Sequence, residues 1–255
     1  MTCTMVAGAL ALVPLLPAAA LATAKPGAPR AGEHRVRPAT GVAWSWGANS
    51  FGELGYGTQI DSPRPFPVAG LDSVTAVAAG GYSGYALRRD ATVWSWGYNW
   101  AGQLGDGTTT DRSTPVQVDL DNVTAVAAGG YTALALRRDG TVWAWGANGN
   151  GELGNGNTTS SSTPVQVSGL TDVTAVAADD SSALALRRDG TVWAWGANWA
   201  GQLGNGTTTD SAVPVQVGGL DEVTAVAAEG SSALALRRDG TVWAWGANWA
   251  GQLGN

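Results

Sequence analysis

The sequence predicts an all-β fold: a β-propeller of four-stranded blades, with four full repeats and a truncated fifth in an open or incomplete ring. Three observations carry this. The pair Trp-Gly recurs at Trp46, Trp96, Trp145, Trp195 and Trp245, a step of 49 or 50 residues. Each unit holds four short apolar runs separated by turn formers, and about 50 residues with four strands is the size of a propeller blade. The composition is that of a β-protein with tight loops: 37 Gly and 13 Trp in 255 residues, with 13% charged.

Taken in chain order, residues 1–40 differ from the rest. Residues 5–22 are apolar and small, and a polar, Pro-rich stretch follows. The apolar run has the length of a secretory h-region, and Ala20-Leu21-Ala22 and Ala22-Thr23-Ala24 both fit a small-x-small cleavage pattern. No Lys or Arg precedes it, so a basic n-region is missing. Pro14, Pro17 and the short length argue against a transmembrane anchor. The expected division is a signal peptide over 1–24, a Pro-rich linker over 25–40 and a repeat propeller over 41–255, with units starting near 42, 92, 141, 191 and 241. The expected location is secreted or cell-surface, with no stable membrane span in the mature chain. Cys3 is the single cysteine, so no disulfide forms within the chain.

Within a unit, residues 172–178 (DVTAVAA), 182–187 (SALALR) and 191–196 (TVWAWG) read as three strands. Residues 214–217 (PVQV) read as a short fourth, opened by proline as edge strands allow. Asp139-Gly140, Asp189-Gly190 and Asp239-Gly240 lie between the second and third runs, a pairing that predicts type I′ hairpins. The first unit has Asp90-Ala91 there, which predicts a different or strained turn. A longer glycine-bearing loop joins the third and fourth runs, with Leu203 expected to tuck inward as its anchor. One unit is a residue short: five residues separate Pro115 from Leu120, against six from Pro65 to Leu71, Pro164 to Leu170 and Pro214 to Leu220. In the third run Val192 and Ala194 point one way, and Trp193 and Trp195 the other. Neither face carries charge, so both are expected to be covered. Small residues of one blade would meet large residues of the next, with the tryptophans between blades.

The charge balance narrows the partners. From Gly41 onward 10 Arg stand against 19 Asp and Glu, a net of −9. That sign repels phosphate backbones and excludes general nucleic-acid binding. Catalytic groups are sparse. His34, the single histidine, lies before the repeats, which removes the usual serine or cysteine triads. The repeated Arg-Arg-Asp reads as a solvated turn. Asp179-Asp180 reads as loop charge, since neighbouring side chains on extended backbone point apart. No calcium loop or phosphate-binding glycine loop matches. No catalytic residue, cofactor or metal is expected.

Differences between copies point to binding. After the repeated asparagine come Ser50, Trp100, Gly149, Trp199 and Trp249. Such a variable loop position is expected to be exposed, and tryptophans on one rim suit protein or sugar recognition. Tyr82, Tyr85 and Tyr131 vary likewise, against Ser181 and Ser231. The partner-binding candidates are Trp100, Trp199, Trp249, Tyr82 and Tyr131. The expected partner is a protein, with carbohydrate the second class.

The order W-G-x-N-x-x-G-Q-L-G-x-G, P-x-x-V, V-x-x-V-A-A-G and A-L-x-x-D-G, as in VWAWGANWAGQLGNGTTTDSAVPVQVGGLDEVTAVAAEGSSALALRRDG, resembles the repeat of the regulator of chromosome condensation family. The resemblance covers residues 42–255. It implies a β-propeller, usually of seven four-stranded blades, that acts as a binding platform. The family often has a histidine in a G-x-x-H-S-L pattern; Ser83, Thr132, Ser182 and Ser232 stand there instead, so any role of that histidine is absent. Seven blades at this period need about 350 residues. The simplest expectation is a fragment of a longer chain; the alternative is two chains that complete one ring. Propellers of this resemblance also include proteins that block bacterial β-lactamases. The expected function is therefore a non-catalytic binding propeller outside the cytoplasm. The alternatives are an exported enzyme inhibitor or, third, a propeller enzyme acting on polysaccharide. Nucleotide exchange, the namesake activity, rests on fold analogy alone, and an export signal argues against it.

Overall fold

The computed structural model describes residues 41–254, so the expected leader and linker lie outside the described residues. The described chain is built of β-strands. A first, two-stranded sheet pairs β1 (Trp44–Gly47) with β2 (Ser62–Pro67). The second sheet holds β3 (Val74–Ala79), β4 (Ser83–Arg88), β5 (Val93–Gly97) and β6 (Arg112–Gln117). The third holds β7 (Val123–Ala128), β8 (Thr132–Arg137), β9 (Val142–Gly146) and β10 (Ser161–Gln166). The fourth holds β11 (Val173–Ala178), β12 (Ser182–Arg187), β13 (Val192–Gly196) and β14 (Ser211–Gln216). The fifth holds β15 (Val223–Glu229), β16 (Ser232–Arg237) and β17 (Val242–Gly246).

Every sheet is an antiparallel meander, and no backbone ladder joins the first sheet to the fifth. The sheets are offset from the sequence period. A repeat beginning near 42, 92, 141 or 191 gives its first two strands in chain order to one sheet and its last two to the next. The described residues therefore form three complete four-stranded blades between a two-stranded and a three-stranded sheet. The first strands of successive sheets touch one another, β3 with β7, β7 with β11, β11 with β15. They lie nearest the common axis, and the fourth strands are outermost.

Two local expectations need correction. The fourth strand does not open at its proline: β14 begins at Ser211, with Pro214 inside it. Its register to β13 shifts between Ala194 and Gly196, and an outer edge strand with such a bulge loses no ladder bond at proline. The hairpins between second and third strands are not type I′. Only the glycine has positive φ (Gly140 80°, Gly190 82°, Gly240 85°), and Gly140 N–H donates to Arg137 C=O at 3.0 Å. This is a type I turn followed by a left-handed residue. Ala91 takes the same place with φ 66°, so the first unit has the same turn under strain.

The alternation of faces explains the stacking. On the fourth sheet Ala183 pairs with Trp195 and Ala185 with Trp193 on one face, Leu184 with Ala194 and Leu186 with Val192 on the other. The first face packs on Leu134, Leu136, Val142 and Ala144 of the third sheet. The second packs on Ala233, Ala235 and Trp245 of the fifth. Each of these two interfaces thus sets two leucines and a valine against two alanines and an indole. Trp145 and Trp195 are fully buried there. At 150–250 Å² for each indole, that burial is worth about 4–6 kcal/mol apiece. The indole N–H reaches back to the loop of the preceding repeat: Trp96 to Glu53 O (2.8 Å), Trp145 to Gln103 O (2.8 Å), Trp195 to Glu152 O (2.8 Å) and Trp245 to Gln202 O (2.9 Å). The glycine that ends each Leu-Gly pair makes room for that ring; a Cβ on Gly105 would lie 2.7 Å from Trp145 Nε1. Faces without a neighbouring sheet among the described residues stay wet: Trp44, Trp46, Leu234, Leu236 and Val242 are all exposed.

Candidate partner-binding rim

The sheets have two ends with different chemistry. At one end lie the turns between first and second strands and the long loops between third and fourth. Each loop is organised by the repeated asparagine, fully buried at Asn49, Asn99, Asn148 and Asn198. Asn148 Nδ2 donates to Asn157 O (3.0 Å) and Thr159 O (2.9 Å), and its Oδ1 accepts from Leu153 N (2.8 Å). Asn198 repeats the pattern with Thr207 O, Thr209 O and Leu203 N. Leu203 is buried as the anchor the sequence implied. With its backbone fixed this way, the residue after the asparagine is pushed outward.

The candidates divide into two zones on this rim. Trp100, Trp199 and Trp249 project from the loops, 64%, 58% and 67% exposed. Trp199 and Trp249 stack on each other (centroids 5.4 Å, planes 17° apart). Trp100 has no ring neighbour among the described residues. Tyr82 and Tyr131 sit in the turns nearest the axis, and Tyr98 lies between them, with centroids 6.1 Å from Tyr82 and 6.3 Å from Tyr131. Phe51 closes the group, 4.4 Å from Tyr98 and 5.5 Å from Tyr82. Tyr85 does not belong to the rim. It is buried where other copies carry leucine, and its hydroxyl donates to Gln103 O (2.7 Å), the carbonyl that also holds Trp145. Burial pushes its phenol up out of the ordinary tyrosine range.

Of the pair read as loop charge, Asp180 is exposed and Asp179 is not. Asp179 is buried and accepts from Ser181 N (2.8 Å), Ser182 N (2.6 Å) and Ser182 Oγ (2.8 Å). Burial outweighs these bonds and lifts its carboxyl above the usual range. Asp180 is exposed beside the Tyr131 turn, its Oδ1 2.8 Å from where a Cβ on Gly130 would stand. At the histidine positions, Ser83, Thr132, Ser182 and Ser232 make local bonds, Thr132 Oγ1 to Ala147 O at 3.1 Å for one.

At the opposite end stand the Arg-Arg-Asp turns, which are more than solvated loops. The first arginine ties its turn to the segment before the first strand: Arg137 Nε donates to Asp121 O (3.1 Å) and its guanidinium pairs with Asp121 (2.9 Å). Its guanidinium also lies 5.8 Å from the Trp143 ring centroid. Asp139 accepts from Thr141 N and Thr141 Oγ1, and these bonds hold its carboxyl below the usual range. A shallow depression there is lined by Thr92, Gln117, Asp119, Leu120, Asp121, Arg137 and Trp143. It coincides with the unit that is one residue short. Asp119 and Asp121 both line it, and Arg137 is already committed to Asp121. Among the described residues no three His, Cys, Asp or Glu side chains come together as metal ligands, and no helix is long and apolar enough to cross a membrane.

Sequence reasoning missed Asn148 and its equivalents, although their strict recurrence beside variable neighbours was the available signal. It also missed Phe51 and Tyr98, which depart from the alanine that most sibling copies carry, as Tyr82 departs from serine.

A model of the RCC1-like domain matches residues 36–255. The chain belongs to the RCC1-like family. Human WBSCR16 matches the RCC1-like chain at 29% identity with a TM-score of 0.75, over 83% of this chain and 58% of that one. Prp20p from Saccharomyces cerevisiae matches at 29% identity and a TM-score of 0.74, over 85% and 55%. In a structure of yeast RCC1 (Prp20) with Kap60, the values are 26%, 0.74, 95% and 62%. A mitochondrial RCC1 domain-containing protein of Arabidopsis thaliana, RUG3, is 44% identical over 55 residues, which is 21% of this chain and 12% of that protein. The RCC1-like chain thus spans little more than half the length of the first two solved chains.

Proposed function

We propose that this chain is a non-catalytic binding platform that recognises a protein partner through the loop end of its sheets, outside the cytoplasm. One observation carries the reading: five large rings, Trp100, Trp199, Trp249, Tyr82 and Tyr131, are exposed on one rim whose loops are rigidly fixed from within. Exposed, pre-ordered aromatics are what interface anchors require, since little ordering entropy remains to be lost on binding. The solved relatives support a protein partner: Prp20p is described with binding properties to Gsp1p and histones, and with Kap60 bound. The location rests on the apolar run over residues 5–22.

The test compares the full chain with a Trp100→Ala/Trp199→Ala double variant as bait in secreted and envelope fractions of the producing cell. A partner retained by the first and lost by the second supports the reading. Equal retention by both removes the tryptophans from it, and turnover in a glycan-degradation screen overturns the non-catalytic assignment. Intact residues 1–24 on chain recovered from the medium would contradict the proposed leader.

A further inference from the structure

Residues that differ between otherwise near-identical copies converge at one place in space. Phe51 stands where sibling copies have Ala101, Asn150, Ala200 and Ala250, and Tyr98 where they have Ala48, Ala147, Ala197 and Ala247. Tyr82 and Tyr131 stand where the later copies have Ser181 and Ser231. These four substitutions come from three successive sheets and form one contiguous cluster beside the axis. The next turn along the same arc carries another departure, Asp180, where Gly81, Gly130 and Gly230 stand elsewhere. Fold requirements do not explain them, since the sibling copies build the same turns without them.

The geometry of the rings selects a ligand. Their planes lie 47–75° apart, so they form a set of corners and not a flat shelf. A guanidinium or ammonium fits such a corner, where it meets the negative face of more than one ring. The charge of the rim agrees. Of the 10 Arg in residues 41–255, eight stand in the Arg-Arg-Asp turns at the far end of the sheets. Arg112 is paired with Asp106 at 2.7 Å, and Arg64 lies on the outer strand β2. Asp180 lies in the turn that follows the aromatic ones around the axis, and Glu229 ends β15 just before the turn after that. Burial first, then Tyr82, Tyr98 and Asp180, raise the Tyr131 phenol above its ordinary range.

We infer that Phe51, Tyr82, Tyr98 and Tyr131, bordered by Asp180, form a receptor for arginine or lysine side chains of a basic protein segment. This rests on the reading of the rim as a protein-binding surface and adds the chemistry of the partner. The tryptophans farther out on the loops would supply the apolar contacts flanking the cation.

The probe is a fluorescein-labelled peptide of glycine-spaced arginines with blocked ends, titrated against the full chain by anisotropy. Its glutamate counterpart and a neutral cello-oligosaccharide are run beside it. The variants carry sibling residues, Tyr82→Ser/Tyr131→Ser and Asp180→Gly, which the same turns already accommodate. The arginine peptide is expected to bind and to weaken with salt. The double variant should weaken it about tenfold and Asp180→Gly several-fold. Ring ¹³C shifts of Tyr82, Tyr98 and Tyr131 should move on titration while that of Tyr85 does not. No binding by the unaltered chain overturns the inference, as do equal binding by the double variant or by the glutamate peptide. An oligosaccharide that binds through Tyr82 and Tyr131 also overturns it, in favour of sugar recognition. If the peptide fails but capture through Trp100 and Trp199 persists, only the inferred chemistry falls. If the peptide binds but no partner is captured, the broader reading falls instead.

Discussion

Replacing Trp195 by alanine separates interblade packing from ordinary strand burial. Its indole is fully buried between the third and fourth sheets, and its N–H holds Glu152 O at 2.8 Å. Truncating a buried tryptophan costs about 3–5 kcal/mol. Leaving the Glu152 carbonyl unpaired adds about 1 kcal/mol or more. Trp46 occupies the same strand position in the first sheet but is 58% exposed, so Trp46→Ala should cost only about 1–2 kcal/mol. With a urea m-value of about 2–3 kcal/mol/M, the midpoint should fall by about 2 M for Trp195→Ala and by about 0.5 M for Trp46→Ala. Trp195→Phe should restore most of the packing but not the hydrogen bond, and fall between them. The assay is urea unfolding followed by far-ultraviolet circular dichroism, which does not depend on the fluorophore removed. Equal shifts for Trp46→Ala and Trp195→Ala would refute the reasoning, because it would mean that the neighbouring blade contributes nothing.

Asn148→Ala removes three bonds to loop backbone and should destabilise by about 2–4 kcal/mol, read as a lowered urea midpoint and earlier proteolytic nicking between residues 149 and 160. Ala91→Gly relieves a left-handed alanine in a turn where three siblings carry glycine, and should raise stability by about 0.5–1 kcal/mol, measured as a higher Tm. Asp179 has a folded-state pKa above its unfolded one, so the folded chain binds the extra proton between those values. Its ionised form therefore costs stability at neutral pH, and that cost disappears as pH falls through the raised pKa. Asp179→Asn keeps the acceptor for the Ser181 and Ser182 amides. It should be more stable than the parent at about pH 7 and lose that advantage near about pH 4, followed by unfolding midpoints across the range.

Much of the fold was legible because each unit repeats its own signals. The Val-x-Ala and Trp-x-Trp alternation gave the faces, and the absence of charge on either face of residues 191–196 gave the stacking. The sheet grouping was legible as well: the runs 172–178, 182–187, 191–196 and 214–217, read as one unit, became β11 to β14 of one sheet, while unit starts placed near 42, 92, 141, 191 and 241 cut across the sheets. The hairpin type was misjudged because Asp-Gly also suits a type I turn with glycine in the next, left-handed place, and the extra arginine lengthens the loop by enough to select it. Pro214 looked like a strand start, but an outer strand tolerates it internally. At the rim, Trp100, Trp199 and Trp249 were legible as loop residues that vary. Tyr85 was grouped with Tyr82 by composition, and only strand alternation, with Tyr85 paired opposite Ser95 on a covered face, separates them. Phe51 and Tyr98 lie 47 residues apart in sequence and meet only because successive blades bring their loops together.

The central claim is that indoles lie between radial sheets and bond back to the preceding repeat. Indole N–H exchange, read by ¹⁵N–¹H NMR on the full chain, tests it most directly. The N–H groups of Trp96, Trp145, Trp195 and Trp245 are bonded to loop carbonyls of the repeat before them, and those of Trp145 and Trp195 should exchange slowest of the 13. Trp44, Trp46, Trp100, Trp199 and Trp249 should exchange at rates near those of a free indole. Fast exchange at Trp145 and Trp195, or one common rate for all, would contradict the stacked blades.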